Sequence, residues 1–514
     1  FKGTINYKEK GSHLILSKAP PVKTSSTTAI FIISGYIEDK ASGERVADAS
    51  VYEKSTLASA VTNEFGYYKI RLDKNEETVS LSVSKRNYRD TLVVVTAPGN
   101  QYINIAIDPM EDDSVKVTAS IKTDSVKQEE KLEFPYESEV NVQNIHDTLY
   151  SEVQISLLPF VGSNGRLSGN VINDYSINIF GGYSLGTRKI ELGFFFNTDR
   201  GDVSFLQIAG FGNLVGGNVY GIQAAGFFNA NQGETKAIQW AGFSNVNLGE
   251  ARGVQIAGFA NANIKSADGV LLAGFANYAN GKSQGVQVAG FGNVQIGDYT
   301  GSQVAGFSNI AVDNIHGSQV SSFFNYARKV KGTQIGLFNY ADTLGGVPIG
   351  LLSFVNHGYH KIELAADEIF YTNLSFRTGV HRFYNILHAG LKPESTTGTH
   401  ETVWSFGYGL GTAPHLTRWL DLNIDLSADH VNKGSFTNEL SLLNKLYVGF
   451  DMKLTKKMSL TLGASLNGYL TKNTYTDYPV LFTEFTPKII NDRNYGNDVN
   501  MKMWWGGKVG LRFL

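Results

Sequence analysis

The sequence predicts an all-β protein: a small immunoglobulin-like β-sandwich, then a transmembrane antiparallel β-barrel of about 20 strands, with roughly 18 to 22 as the bounds. Three observations carry this. The tripeptide Ala-Gly-Phe returns every 16 residues through the middle of the chain. Apolar and polar residues alternate with period two inside that repeat and again after it. A helical span would need about 18 consecutive apolar residues, and the sequence holds no such run, so a membrane crossing must use strands.

Composition sets the bounds for the elements. A chain of 514 residues has room for more than one domain. The 45 Lys and Arg nearly balance the 47 Asp and Glu, which leaves no electrostatic footprint for nucleic acid. With 55 Gly, 31 Phe and 25 Tyr the chain suits a β-rich protein. The absence of cysteine rules out a disulfide framework, a zinc-thiolate site and a cysteine nucleophile. A mean hydropathy of -0.14 is compatible with a barrel, in which only alternate residues face lipid. The sequence starts at Phe1 without a leader, so a targeting segment is expected to have been removed or to lie outside it.

Residues 1–20 alternate through Ile5 and Tyr7, then run His13, Leu14, Ile15, Leu16 up to a break at Pro20 and Pro21. They read as the tail of a truncated domain. They resemble the closing hairpin of the short domain at the N-terminus of secretins and TonB-dependent receptors. Residues 28–109 contain the short strands IFIISGYIED, ADASVYEK, SAVTNEFGYYKIRL, SLSVSKRNYRDTLVVV and YINIAID, punctuated by turn residues as in a β-sandwich. With Gly35 and Asp39 at its opening and Thr62, Asn63, Phe65, Gly66, Tyr67 and Tyr68 as a turn-and-aromatic motif, this segment resembles the carboxypeptidase regulatory-like family. The resemblance implies a binding or spacing module without peptidase chemistry. Residues 110–150 are charged and aperiodic, and read as an extended linker.

The segment 151–514 is assigned to the barrel, with its repeats at about 205–360. Ala-Gly-Phe begins at Ala209, Ala225, Ala241, Ala257, Ala273, Ala289 and Ala305, with degenerate copies at Ser321, Gly336 and Leu352. Gln207, Gln223, Gln239, Gln255, Gln287, Gln303 and Gln319 precede the motif; Asn213, Asn229, Asn245, Asn261, Asn277, Asn293, Asn309 and Asn325 follow it. In the copy from Gly285, strand alternation puts Val286, Val288, Gly290, Gly292, Val294 and Ile296 on one face, and Gln287, Ala289, Phe291, Asn293 and Gln295 on the other. One strand per repeat then gives amides facing an aqueous lumen. Small residues such as Gly258, Ala260, Gly290 and Gly292 face lipid. The competing reading is a soluble β-solenoid with stacked Asn and Gln ladders. Its coils must turn corners, whereas the alternation runs through each repeat.

After the repeats, Leu420, Leu422, Ile424, Leu426 and Ala428 oppose Asp421, Asn423 and Asp425; Trp404, Phe406, Tyr408 and Leu410 oppose Ser405, Gly407 and Gly409. Met458, Leu460, Leu462, Ala464 and Leu466 likewise oppose Ser459, Thr461, Ser465 and Asn467. Inward acids Asp421, Asp425 and Asp451 are expected to meet Lys453 or Arg512. Trp505, Val509, Leu511 and Phe513 face outward in a last strand that resembles the C-terminal signal of outer-membrane proteins, except that Leu514 replaces the final aromatic. Loops are expected at 470–502 and around Pro393 to His400.

No nucleophile elbow, phosphate-binding loop or HExxH motif appears. The pair His357 and His360 reads as solvated surface, so no catalytic, cofactor-binding or metal-ligating residue is assigned and no cofactor is expected. Domain order resembles TonB-dependent receptors of Bacteroidota, but the 40 residues from Met110 to Leu149 cannot hold their plug, which argues against active import. The expected partners are outer-membrane lipids with lipopolysaccharide, and other outer-membrane or periplasmic proteins. Two functions follow: a non-catalytic outer-membrane subunit of an assembly or secretion complex with its sandwich in the periplasm, or a passive pore for small solutes.

Overall fold

The computed structural model describes residues 5–10, 13–18, 30–73, 78–96, 99–110, 136–393, 402–472, 481, 487–496 and 498–513. Residues 394–400 of the loop expected around Pro393 to His400, and most of the predicted linker, lie outside these. The chain divides into two units, residues 1–173 with 183–185, and the remainder.

In the first unit, Ile5–Lys10 and His13–Lys18 pair as an antiparallel hairpin. The sandwich stacks Ile30–Asp39, Tyr67–Asp73, Gln101–Tyr102 and Ile105–Ile107 as one sheet, and Ser59–Val61, Ser50–Glu53, Thr78–Ser84 and Thr91–Thr96 as the other. Alternation in the first long strand sends Phe31, Ile33 and Ile37 inward, where they meet Val51, Ile70, Leu81 and Val83. Gly35 shares that inward face because a Cβ there would lie 1.8 Å from the Ile103 carbonyl oxygen. The turn-and-aromatic motif closes on itself. Asn63 Oδ1 accepts from the amides of Phe65 and Tyr67, both at 3.0 Å, and Gly66 takes a positive φ of 74°. Thr62 Oγ1 donates to Val46 O at 2.8 Å and accepts from Ala49 N at 2.7 Å.

The predicted linker is corrected in part: Tyr136–Asn144 is an α-helix. Its sequence, YESEVNVQN, has no amphipathic period. The helix is fixed by contacts instead: Asn144 Nδ2 donates to Asp48 O at 2.7 Å, and Ser138, Val140 and Asn141 are buried. Next to it, burial pushes the Tyr52 hydroxyl up to about 12, while a 2.7 Å hydrogen bond from Lys54 holds Asp147 below the usual carboxylate range.

The second unit replaces the predicted barrel of about 20 strands with two constructions. The repeats wind into a parallel solenoid: Gln207 lies opposite Gln223 and Gln223 opposite Gln239, so the 16-residue period is the step from one coil to the next. Each repeat supplies two strands rather than one, for example Ala251–Ala257 and Ala260–Asn263. The expected corner is present but disguised. After inward Ala289, the chain bends at Gly290 and Phe291 and resumes as a strand at Gly292, so three residues separate Ala289 from inward Asn293. Three residues instead of one leave the parity of inward positions unchanged, so a period-two count runs straight through the bend.

Stacking like on like explains why the period never slips from Ala209 to Ala305. An antiparallel hairpin would oppose unlike positions and reward no fixed repeat. Parallel coils instead set each Gly of the motif against the previous one: a Cβ on Gly258 would lie 2.0 Å from the Gly242 carbonyl oxygen, and one on Gly274 2.0 Å from that of Gly258. Only glycine allows that approach.

The strands after the repeats form a closed eight-stranded barrel: Tyr359–Asp367, Thr372–Val380, Phe383–Lys392, Val403–Thr412, Leu420–Lys433, Ser441–Lys453, Met458–Lys472 and Val499–Phe513. Neighbours are antiparallel, and the last pairs with the first from Ile362 opposite Phe513 to Asp367 opposite Lys508. Within the region expected as a long loop, Ile489–Tyr495 forms a hairpin with the start of the last strand.

Candidate functional site

Both halves of the second unit carry their chemistry inside. In the solenoid, the predicted amides do not line a lumen: they are buried in the core in ladders, which corrects their assignment. Asn213 Nδ2 donates to Asn229 Oδ1 at 2.8 Å, Asn229 to Asn245 at 2.8 Å, Asn245 to Asn261 at 2.9 Å and Asn261 to Asn277 at 2.9 Å. The series goes on through Asn293 and Asn309 to Asn325, at 2.8 to 3.0 Å. The same nitrogen also donates to the main chain of the next coil, as from Asn229 to Trp240 O. Both donor hydrogens of each amide are thereby used.

The glutamines form a second ladder. Gln239 Nε2 donates to Gln223 Oε1 and Gln223 to Gln207, both at 2.9 Å; Gln319 donates to Gln303 at 2.9 Å and Gln303 to Gln287 at 2.8 Å. Between them the ladder is interrupted by buried Leu271, and Gln255 turns sideways to Asn263 at 3.0 Å. At its start Gln207 donates to the carboxylates of buried Glu191 and Asp199, both at 2.8 Å. The sequence reading did not single out these two acids, because they precede the first complete repeat.

Of the small residues assigned to a lipid-facing wall, Gly258 and Gly290 are exposed at corners, Ala260 is half-buried and Gly292 is buried. They do not make one smooth face. Phe291, assigned to the amide face, points out instead, and the phenylalanines of successive motifs stack at the corner. Phe243 to Phe259 and Phe259 to Phe275 have ring centroids 4.8 and 4.9 Å apart and planes within 2° of parallel.

The barrel interior is built from charges. Glu363 receives Arg377 at 2.9 Å, Lys508 at 3.0 Å and Arg512 at 2.5 Å. Arg377 reaches Asp425 at 2.9 Å, and Arg512 reaches Asp451 at 3.5 Å and Asn423 at 2.7 Å. Tyr384 donates to Asp425 at 2.6 Å. Three acids thus face three bases in a packed interior. The expected pairings of Asp425 and Asp451 with Arg512, and of Asp421 with Lys453 at 3.1 Å, are all made. Glu363, Arg377 and Lys508 were not anticipated: the sequence reading singled out only Asp421, Asp425, Asp451, Lys453 and Arg512 as inward charges. The outer wall is apolar: Leu364, Leu374, Phe406, Leu426, Val448 and Leu462 are exposed.

His357 and His360 do not come together as ligands. The first meets Asp342 O at 3.1 Å, and the second meets Thr378 Oγ1 at 3.1 Å. His381, His415 and Asp421 do bring ligand-type atoms within 4.8 Å of one another. His415 Nδ1 already hydrogen-bonds the Asp421 carboxylate at 2.5 Å, and the Lys453 ammonium neutralises it. The Asp421 carboxylate is thus already paired with His415 and Lys453.

A search of curated proteins gives no match to the chain. Residues 33–118 match the family described as the CarboxypepD_reg-like domain, which agrees with the sandwich and with the motif around Asn63 and Gly66.

Proposed function

We propose that the chain is a non-catalytic outer-membrane subunit of a multi-protein envelope complex, with the eight-stranded barrel as its anchor and the CarboxypepD_reg-like domain as a periplasmic docking module. The observation that carries this reading is the closed barrel with an apolar outer wall and an interior crossed by ion pairs. A barrel satisfies every strand edge, which is the condition for crossing hydrocarbon with strands. The side-chain network of Glu363, Arg377, Asp425 and Arg512 occupies the space a solute would need, which counts against the passive pore.

Connections favour one orientation. At one end the strands are joined through 381–382, 413–419 and 454–457, and at the other through 368–371, 393–402, 434–440 and 473–498; the two longest sequence separations share one end, as on the extracellular side of such barrels. The chain enters the barrel at Tyr359, at the opposite end. On this ground we read the N-terminal domain as periplasmic. The test is purification from native membranes in mild detergent followed by mass spectrometry. Companions in fixed ratio that are lost when residues 30–110 are deleted support the docking role; a lone barrel with conductance in planar bilayers overturns it.

A further inference from the structure

The solenoid inverts the usual partition of a water-soluble fold. Its core is amide and its surface is apolar. Each coil contains an unbroken run of eleven uncharged residues, at 221–231, 237–247, 253–263, 269–279, 285–295 and 301–311. These runs cover part of the long strand, the Gly-Phe corner and the short strand. Within them the Gln and Asn side chains turn inward and are buried. What remains outside is Ile222, Ile238, Trp240, Ile256, Val286 and Val304, with the phenylalanine row along the edge; Phe227 to Phe323 are each 40 to 44% exposed. Charges lie at the opposite corner and the start of the long strand, where Glu234, Lys236, Glu250, Arg252, Lys265 and Asp268 sit. Exposed apolar surface of this extent marks an interaction site.

Two further observations identify the occupant. First, the corner N–H groups are satisfied from coil to coil: the amide of Phe227 donates to Phe211 O, that of Phe243 to Phe227 O and that of Phe259 to Phe243 O, each at 2.8 Å. An unpaired N–H is costly in hydrocarbon, and the amides of Gly258, Phe259 and Ala260 all have acceptors on the preceding coil. Second, the apolar surface is continuous with the barrel wall. Tyr408 OH and Asn385 Nδ2 on the wall donate to Gly350 O of the last coils at 2.8 and 2.7 Å, and Phe338, Leu351 and Leu352 line one cleft with Leu387, Phe406 and Leu442. A protein would cover one face; an apolar surface that wraps both sheets and their shared edge, flush with the barrel exterior, fits a fluid solvent.

We propose that the phenylalanine edge of the solenoid lies in the hydrocarbon of the bilayer beside the barrel, with the charged edge in the aqueous phase. The inference rests on the reading of the barrel as a membrane anchor. Five charge-free residues of the long strand, such as 253–257, extend about 16 Å at roughly 3.3 Å per residue, close to half of the ~30 Å hydrocarbon core. The solenoid is therefore a fin seated in one leaflet, not a span.

The cysteine-free chain makes the test direct. Single-cysteine variants of the full chain, Phe259→Cys on the edge, Val288→Cys beside it, Lys236→Cys on the charged corner and Leu426→Cys on the barrel wall, are labelled with a polarity-sensitive dye in phosphatidylcholine–phosphatidylglycerol vesicles. Labels at 259 and 288 are expected to be quenched by nitroxide-bearing lipid like the label at 426, and to be quenched several-fold less by aqueous iodide than the label at 236. Iodide quenching at 259 and 288 equal to that at 236, with 426 still quenched by lipid, overturns the fin and leaves the anchor standing. Shielding of 259 and 288 from both quenchers also overturns it, in favour of a protein contact. Iodide quenching at 426 as well marks failure of the anchor itself. Val288→Cys keeps the test decisive should loss of the stacked Phe259 ring unfold the edge.

Discussion

The solenoid and the barrel both put polar side chains inside and apolar ones outside, yet one uses neutral amides and the other uses charges. A carboxamide donates and accepts with the same group, so copies of it stack along a line without limit. Asn213 to Asn325 do this over eight successive positions. A carboxylate stacked on a carboxylate repels its neighbour. Charges therefore close into a finite cluster of unlike signs, as Glu363, Asp425 and Asp451 do with Arg377, Lys508 and Arg512. The repetitive sequence of one region and the irregular sequence of the other follow from the valence of the polar group each has inside.

The largest effect separating the two is expected from Arg512→Met. It leaves Glu363 and Asp451 buried with a base removed, at a cost of about 3–5 kcal/mol, read as a lower urea midpoint for the barrel transition in detergent. An unchanged midpoint would mean that the cluster is wet and the contrast with the amides is false.

Asn261→Ala comes next. It strands the donor of Asn245 and the acceptor of Asn277, at about 1–3 kcal/mol, and its signature is non-additivity. A second alanine at the adjacent Asn277 should cost clearly less than the first, because the two share a broken link, whereas one at distant Asn213 should add in full. Urea titration of the two double variants decides between them.

Phe259→Ala removes two stacked contacts worth roughly 0.5–1.5 kcal/mol each, with the coil register preserved in circular dichroism. The smallest effect lies in the first unit. The folded-state value for Asp147 is depressed, so its pairing with Lys54 stabilises above the ordinary value of 3.8 and is lost as pH falls through the depressed one. Carboxyl NMR titration of wild type against Lys54→Ala should show Asp147 return toward its ordinary value.

The barrel strands were legible because each carries its own alternation. Leu420 to Ala428 opposite Asp421 to Asp425, and Met458 to Leu466 opposite Ser459 to Asn467, face as predicted. The pairing of Asp451 with Arg512 followed from charge and face alone. The solenoid was hidden by arithmetic, since the corner between Ala289 and Asn293 keeps inward parity. The overlooked signal was chemical: Phe291 stands in the phase of the amides, where a lumen has no use for an aromatic ring. The helix Tyr136–Asn144 carried no signal of its own, because its burial is imposed by the sandwich it contacts. Likewise His381, His415 and Asp421 meet only because two turns of the barrel end side by side.

The glycine and amide stacks also make the gene tolerant of a particular error. A duplication of sixteen codons inserts a coil whose Asn, Gln and Gly meet partners identical to those displaced, so neither neighbour detects the change. A gain or loss of one codon shifts every later amide out of line. Near the barrel the spacing falls to fourteen, from Asn325 to Asn339 and from Phe338 to Leu352, and there the interchangeability ends. Length in the central coils can therefore vary by slippage in whole turns, while the last turns, fitted to the barrel wall, hold their sequence individually.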